Sequence, residues 1–267
     1  MSMIFRFVAF SFVLLTAAFW LVSSTTLLPA LAGEAIRLHL SYLPQRLTET
    51  SGRQYDLLLD ELLDGADVEV VRLVAPLKRT TALFKSDPGS CVFPANVVAL
   101  NMGDKVSEVM ALETVDVVSL RLYTTRKQET GADLNDFAPE RVGYIRGSGA
   151  IHLLGPKADR FLAINSEEQL IAMLELGRLD AFLGHHPDTA LALDKLGKPN
   201  ALFASPHAFR NLRFPVSFVC HDTKAGHLLK RVLDPRILTL RESGHLRQIL
   251  GRHAEFPSSQ DPEETVN

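Results

Sequence analysis

One phrase occurs twice in this chain, and the repetition limits the folds open to it. "PLKRTTALFKSDPGSCVFPAN" (76–96) and "LELGRLDAFLGHHPDTA" (174–190) each read as the end of a helix, a turn, a short apolar strand and a polar exit. Aligning Cys91 with Asp180 sets Phe93 over Phe182, Pro94 over Leu183 and Asn96 over His185. The copies lie about ninety residues apart, too far for a solenoid repeat, so the spacing predicts two domains of one plan.

The flanking segments show what that plan is. "AIRLHLSYLPQRL" alternates Ile36, Leu38 and Leu40 with polar residues as a strand does, and breaks at Tyr42-Leu43-Pro44. "GRQYDLLLDELLDGADVEVVRLV" then reads as a helix of about three turns on leucine spacing, a stop at Gly65 and a Val-rich strand. This β-α-β order predicts parallel strands joined by a right-handed crossover. Pro76 suits the start of the next helix. The second half repeats the order in "ERVGYIRGSGAIHLL", a short strand at 162–164, and Ser166 with Gln169 as N-cap and capping-box partner of a helix running to Leu176. "VDVVSLRLYTTR" predicts a long strand carrying the chain between the halves. Further on, "TALALDKLG" reads as a helix and "FPVSFVCH" as a strand. "AGHLLKRVLDPRILTLRESGHLRQILGRH" reads as two helical stretches split at Asp234-Pro235, and 254–267 as a disordered tail.

With 46% hydrophobic and 22% charged residues among 267, the chain can bury one large core or two modest ones. A net charge of −3 and basic runs no longer than Lys78-Arg79 argue against a nucleic-acid surface. Residues 1–6 carry one positive charge, 7–22 are apolar, and Ala30-Leu31-Ala32 offers small residues for cleavage, so 1–32 read as a secretory signal directing the protein to the periplasm. An uncleaved membrane anchor is the alternative, because 7–32 carry no charge. Export permits a bond between Cys91 and Cys220, while two small buried hydrophobes read equally well from the residues alone.

In open parallel sheets ligands bind beyond the carboxyl ends of the strands, where turns converge and helix N-termini aim their N–H groups. Tyr42, Asn96, the turn Arg146-Gly147-Ser148-Gly149, and His185 are therefore expected to face a shared cleft, with Arg79 joining them from the first turn of its helix. The glycine turn matches neither a P-loop nor Gly-x-Gly-x-x-Gly. With Arg146 it suits a carboxylate or other small anion, and a plain strand-to-helix turn is the other reading. His185 reads as a neutral hydrogen-bonding group or as a surface histidine. His185 and His186 point opposite ways on extended backbone and, even with His152, form no recognisable ligand set, so no metal is expected. Asp180 reads as a structural tie at its turn. Without paired carboxylates, or a nucleophile beside its base, neither an enzyme nor a cofactor is expected.

Over most of 36–253 these residues resemble the extracellular solute-binding proteins of family 3, the polar amino-acid-type periplasmic binding proteins of ABC importers. The resemblance rests on the leader, "SYLP" after the first strand, "PLKRTTALFKSDPGSCVFP" in place of a Pro-x-x-Arg helix leading to an Asp-Ala strand, "ERVGYIRGSG", "EEQLIAMLELGRLDAFL" and "ESGHLRQIL". It implies an α/β type II clamp of two lobes, each a mainly parallel sheet flanked by helices, joined by a hinge. The first lobe would comprise 36–111 and 213–253, the second 112–212. The Cys220 strand would then return beside the Cys91 strand, implying a disulfide. The implied role is a monomeric exported protein that captures a small polar or anionic solute for an ABC permease. The alternative is a sensory or partner-binding module using the same clamp without transport. The chain departs from the family pattern in two places. "FPANVVALNMGDK" has no arginine where one usually meets the ligand's α-carboxylate, and His185 stands where an aspartate usually meets the ammonium, so an ordinary α-amino acid is not the expected solute.

Overall fold

The computed structural model describes residues 35–50, 52–125, 132–205 and 213–257. The leader at 1–32 lies outside them. Strand β1 (Ile36–Tyr42) buries Ile36, Leu38 and Leu40, and α1 (Gln54–Leu63) buries Tyr55, Leu58, Leu59 and Leu62 at the three-and-four spacing of an amphipathic helix. The chain continues through β2 (Val70–Pro76), α2 (Leu77–Ser86), β3 (Ser90–Ala95), α3 (Val97–Leu100) and β4 (Val109–Ala111). β1 lies parallel between β2 and β3, as the β-α-β reading predicts.

After β5 (Asp116–Thr124) the plan recurs in β6 (Val142–Ile145), α4 (Ile151–Leu154), β7 (Leu162–Ile164), α5 (Glu167–Glu175), β8 (Ala181–His186) and α6 (Asp188–Lys195). β6 lies parallel between β7 and β8, so β2-β1-β3 and β7-β6-β8 are the same arrangement. Ser166 caps α5 by accepting from the Gln169 amide at 3.2 Å. Short β9 (Phe203–Ala204) is followed by β10 (Arg213–His221), α7 (Lys224–Glu242) and α8 (His245–Leu250).

Each parallel trio meets an antiparallel strand from elsewhere in the chain, β10 beside β3 and β5 beside β8. The two lobes do not have wholly separate sheets. Their strands lie on one hydrogen-bonded path, because β10 pairs with β5 through Arg213–Val216 and with β3 and β4 through Ser217–His221. The β10–β3 ladder shifts register between Ser217 and Val219, just past the point where β10 leaves β5. Along β10, Arg213–Val216 pair with β5 and Ser217 is the first residue to pair with β3.

Helices cover both faces of each lobe's sheet. In the first, Leu38, Leu58, Phe218, Leu233 and Leu250 form the larger cluster, and Phe84 packs on Val92, Val97 and Val219 behind it. In the second, Leu120, Val142 and Leu183 lie on one side and Leu170, Ile171, Phe182 and Leu193 on the other. Cys91 and Cys220, opposite each other in the β3–β10 ladder, are joined by a disulfide.

Two expectations are corrected. α7 runs unbroken through Pro235, because Leu229, Leu233 and Ile237 bury one continuous face that outweighs the lost N–H; the break comes instead at Gly244, in the left-handed conformation. Residues 254–256, read as the start of a disordered tail, belong to the fold: Ala254 is buried and Glu255 pairs with Val117. Residues 258–267 lie outside the described residues.

Candidate functional site

The carboxyl-end turns of the two lobes face each other. The turn after β6 places Gly147 at φ +83°, where a Cβ would come within 3.4 Å of the Lys78 Cβ at the start of α2. A Cβ on Gly149 would stand 3.7 Å from the Ala99 methyl of α3. The glycine turn thus approaches two segments of the first lobe, at Lys78 of α2 and at Ala99 of α3. Ser148 is buried in that turn, its hydroxyl accepting from Ala150 N at 3.4 Å, and Arg79 is exposed on α2. Tyr42 ends β1 and leaves 43% of its surface exposed.

Two expected ligand contacts are committed elsewhere. Asn96, 6% exposed, donates from Nδ2 to the Pro215 carbonyl (2.9 Å) and accepts from Ala99 N at Oδ1 (3.1 Å), so it ties α3 to the hinge strand β10. Arg146 folds over its own lobe, donating to Asn165 Oδ1 (3.1 Å) and the Ala163 carbonyl (2.7 Å) at the edge strand β7. Asp180 forms a two-pronged pair with Arg141 at 2.6 and 2.9 Å, the structural role read for it.

His185 lies at the centre of the polar groups. Half-buried at the end of β8, it has Nδ1 3.9 Å from Glu167 Oε1; Glu167 in turn accepts from the Thr189 hydroxyl at 2.9 Å. Next to it, Asp188 opens α6 and faces Arg46 of the first lobe at 4.0 Å. Burial pushes the Asp188 carboxyl up to about 6, although Arg46 opposes the shift.

Arg46 was not legible as a site residue. The tight turn closed by Leu43 and Leu47 aims it inward, where it is fully buried, bonded to the Asp116 carboxylate and stacked 3.8 Å over the Tyr55 ring. Burial works against its charge, but Tyr55, Asp116 and Asp188 outweigh that and hold the guanidinium protonated. Tyr55 donates to the same Asp116 carboxylate at 3.0 Å. Asp116 begins β5, so the cluster joins first lobe, hinge and second lobe. Beside it, Gln45 donates to Glu168 of α5 at 2.6 Å. No spacing signal links residues 70 or 123 positions apart.

This architecture has well-defined structural relatives. A histidine kinase sensor domain with similarity to periplasmic binding proteins superposes with a TM-score of 0.66 at 12% identity, over 85% of this chain and 99% of that one. The GluR0 ligand-binding core from Nostoc punctiforme, in complex with L-glutamate, gives 0.62 at 11% identity, over 80% and 96%. The amino acid ABC transporter substrate-binding protein AbpA from Streptococcus pneumoniae, bound to L-arginine, gives 0.59 at 15% identity, over 81% and 92%. The fold is a periplasmic-binding-protein-like clamp. No family model matches the chain, and no curated protein matches it significantly. At such identities the clamp geometry is shared, and the lining of the site is this chain's own.

Proposed function

We propose that the clamp captures a small polar or anionic solute between its lobes, and that the protein does so as an exported binding protein serving an ABC permease. The observation that carries this reading is the opposition of the two sets of strand-end turns, Gly147 against Lys78 and Gly149 against Ala99. Tyr42 and His185 supply exposed and half-exposed contact groups, while Lys78 at the start of α2 stands against the glycine turn that suits an anionic end, with exposed Arg79 next to it in the chain. The first lobe takes 36–111 and the returning chain, the second the segment between. Export through the leader fits the Cys91–Cys220 disulfide.

Calorimetry of residues 33–267 against a panel of amino acids, dicarboxylates and other small polar solutes tests the proposal. For a solute that binds, His185→Ala and Tyr42→Ala each weaken affinity by about tenfold or more, the loss of one direct contact. Unchanged affinity in both variants refutes the site.

A sensory role is favoured by a different observation: the lobes also bridge directly through their own side chains, Gln45 to Glu168 and Arg46 toward Asp188. Affinity capture from membranes separates the two roles. A permease retained by the loaded clamp supports transport, and a kinase supports sensing.

A further inference from the structure

Beyond the hinge strands, the lobes have a third connection. α8 is set in the first lobe's core through Leu246 and Leu250; Ala254 joins the same cluster, and Arg247 covers the Phe256 ring at 4.5 Å. From this anchorage, residues 252–256 reach across to the hinge and the second lobe. The Glu255 carbonyl accepts from Val117 N at 2.9 Å. Its carboxylate accepts from Arg121 of β5 (2.5 Å) and Arg213 of β10 (3.0 Å), with His186 of β8 3.5 Å away. Arg252 and His253 both bond Asp194 on α6, at 2.6 and 2.7 Å.

We propose that residues 252–256 form a breakable strap that holds the lobes in this closed arrangement and sets how readily the clamp opens. Within the strap, Glu255 lies on the hinge strands, and the Arg252 and His253 contacts to Asp194 lie off them on α6. A rotation about β5 and β10 that parts Gly147 from Lys78 must also shear the Asp194 contacts, since their two sides belong to different lobes. The pairs are partly solvated, with the Glu255 side chain 18% exposed and Arg252 71%, so each is weak, salt-sensitive and reversible. A strap intended as a permanent weld would be apolar and fully buried.

The test uses the full chain without solute, so its outcome is separable from that of the binding proposal. Glu255→Gln and Asp194→Asn are compared with wild type by small-angle scattering and by hydrogen exchange at the Val117 amide. Both variants are expected to show a larger radius of gyration and exchange about tenfold faster, and raising salt to about 0.5 M should move the wild type the same way. Asp194 bonds Arg252 and His253 and not Val117 itself, so its variant leaves the Glu255–Val117 bond in place, and it keeps the test valid if Glu255→Gln fails to fold. A wild-type radius and wild-type exchange in Asp194→Asn overturn the strap.

Discussion

Arg46 and Asp116 are both fully buried, and a charge in that position is tolerable only with its partner. Asp116→Ala leaves the guanidinium uncompensated and is expected to cost about 3–5 kcal/mol in urea unfolding. Replacing both partners with apolar residues of similar size should recover part of that loss, the remainder being the acceptor lost to the buried Tyr55 hydroxyl and the counter-charge lost to Asp188. Two titrations near this cluster oppose each other. Asp188, raised to about 6, holds its proton more tightly folded than unfolded, so it adds stability as pH falls from about 6 toward its ordinary value of 3.8. His186 is lowered to about 4, chiefly by burial and then by Arg121 and His253; it therefore stays neutral when the unfolded chain takes up a proton, and costs stability as pH falls from 6.5. Wild-type stability should vary little between pH 6 and pH 4 on their account. Asp188→Asn removes the compensating half, and thermal melts of that variant should show a steeper acid-side decline.

At the scale of elements, the devices are a shared strand, a cross-link and a proline tolerated inside a helix. The disulfide closes a loop of 129 residues, for which chain entropy predicts a stabilisation of about 4–5 kcal/mol. Reduction should lower the melting temperature markedly without changing the far-ultraviolet spectrum of the folded state. Gly184 shows how α6 comes to lie so near β8. A Cβ there would collide with the Thr189 hydroxyl and the Phe182 ring, so Gly184→Ala should destabilise and loosen the Thr189–Glu167 bond behind His185. Pro235 withholds an N–H from the interior of α7, and Pro235→Ala should raise the melting temperature modestly, since a proline there costs up to about 3 kcal/mol against alanine.

For the molecule as a whole, two lobes of one plan share β10, which pairs with β5 and with β3 and β4. If solute capture and strap release act on the same opening, a ligand that favours closure should suppress the exchange that Asp194→Asn accelerates.

The α/β order, the duplicated plan and the long linking strand were legible in the residues. Hydrophobic spacing, caps and turns act over a few neighbours, and β-α-β units have one favoured hand. Tertiary structure alone decided that Asn96 bonds backbone groups of α3 and β10, that Arg146 bonds Asn165 and the Ala163 carbonyl of its own lobe, that α7 passes through Pro235, and that Arg46, Asp116 and Asp188 gather at the hinge. Those outcomes depend on which buried charge finds which partner, and on how much apolar face a helix can cover, between segments that meet only when the chain has closed on itself.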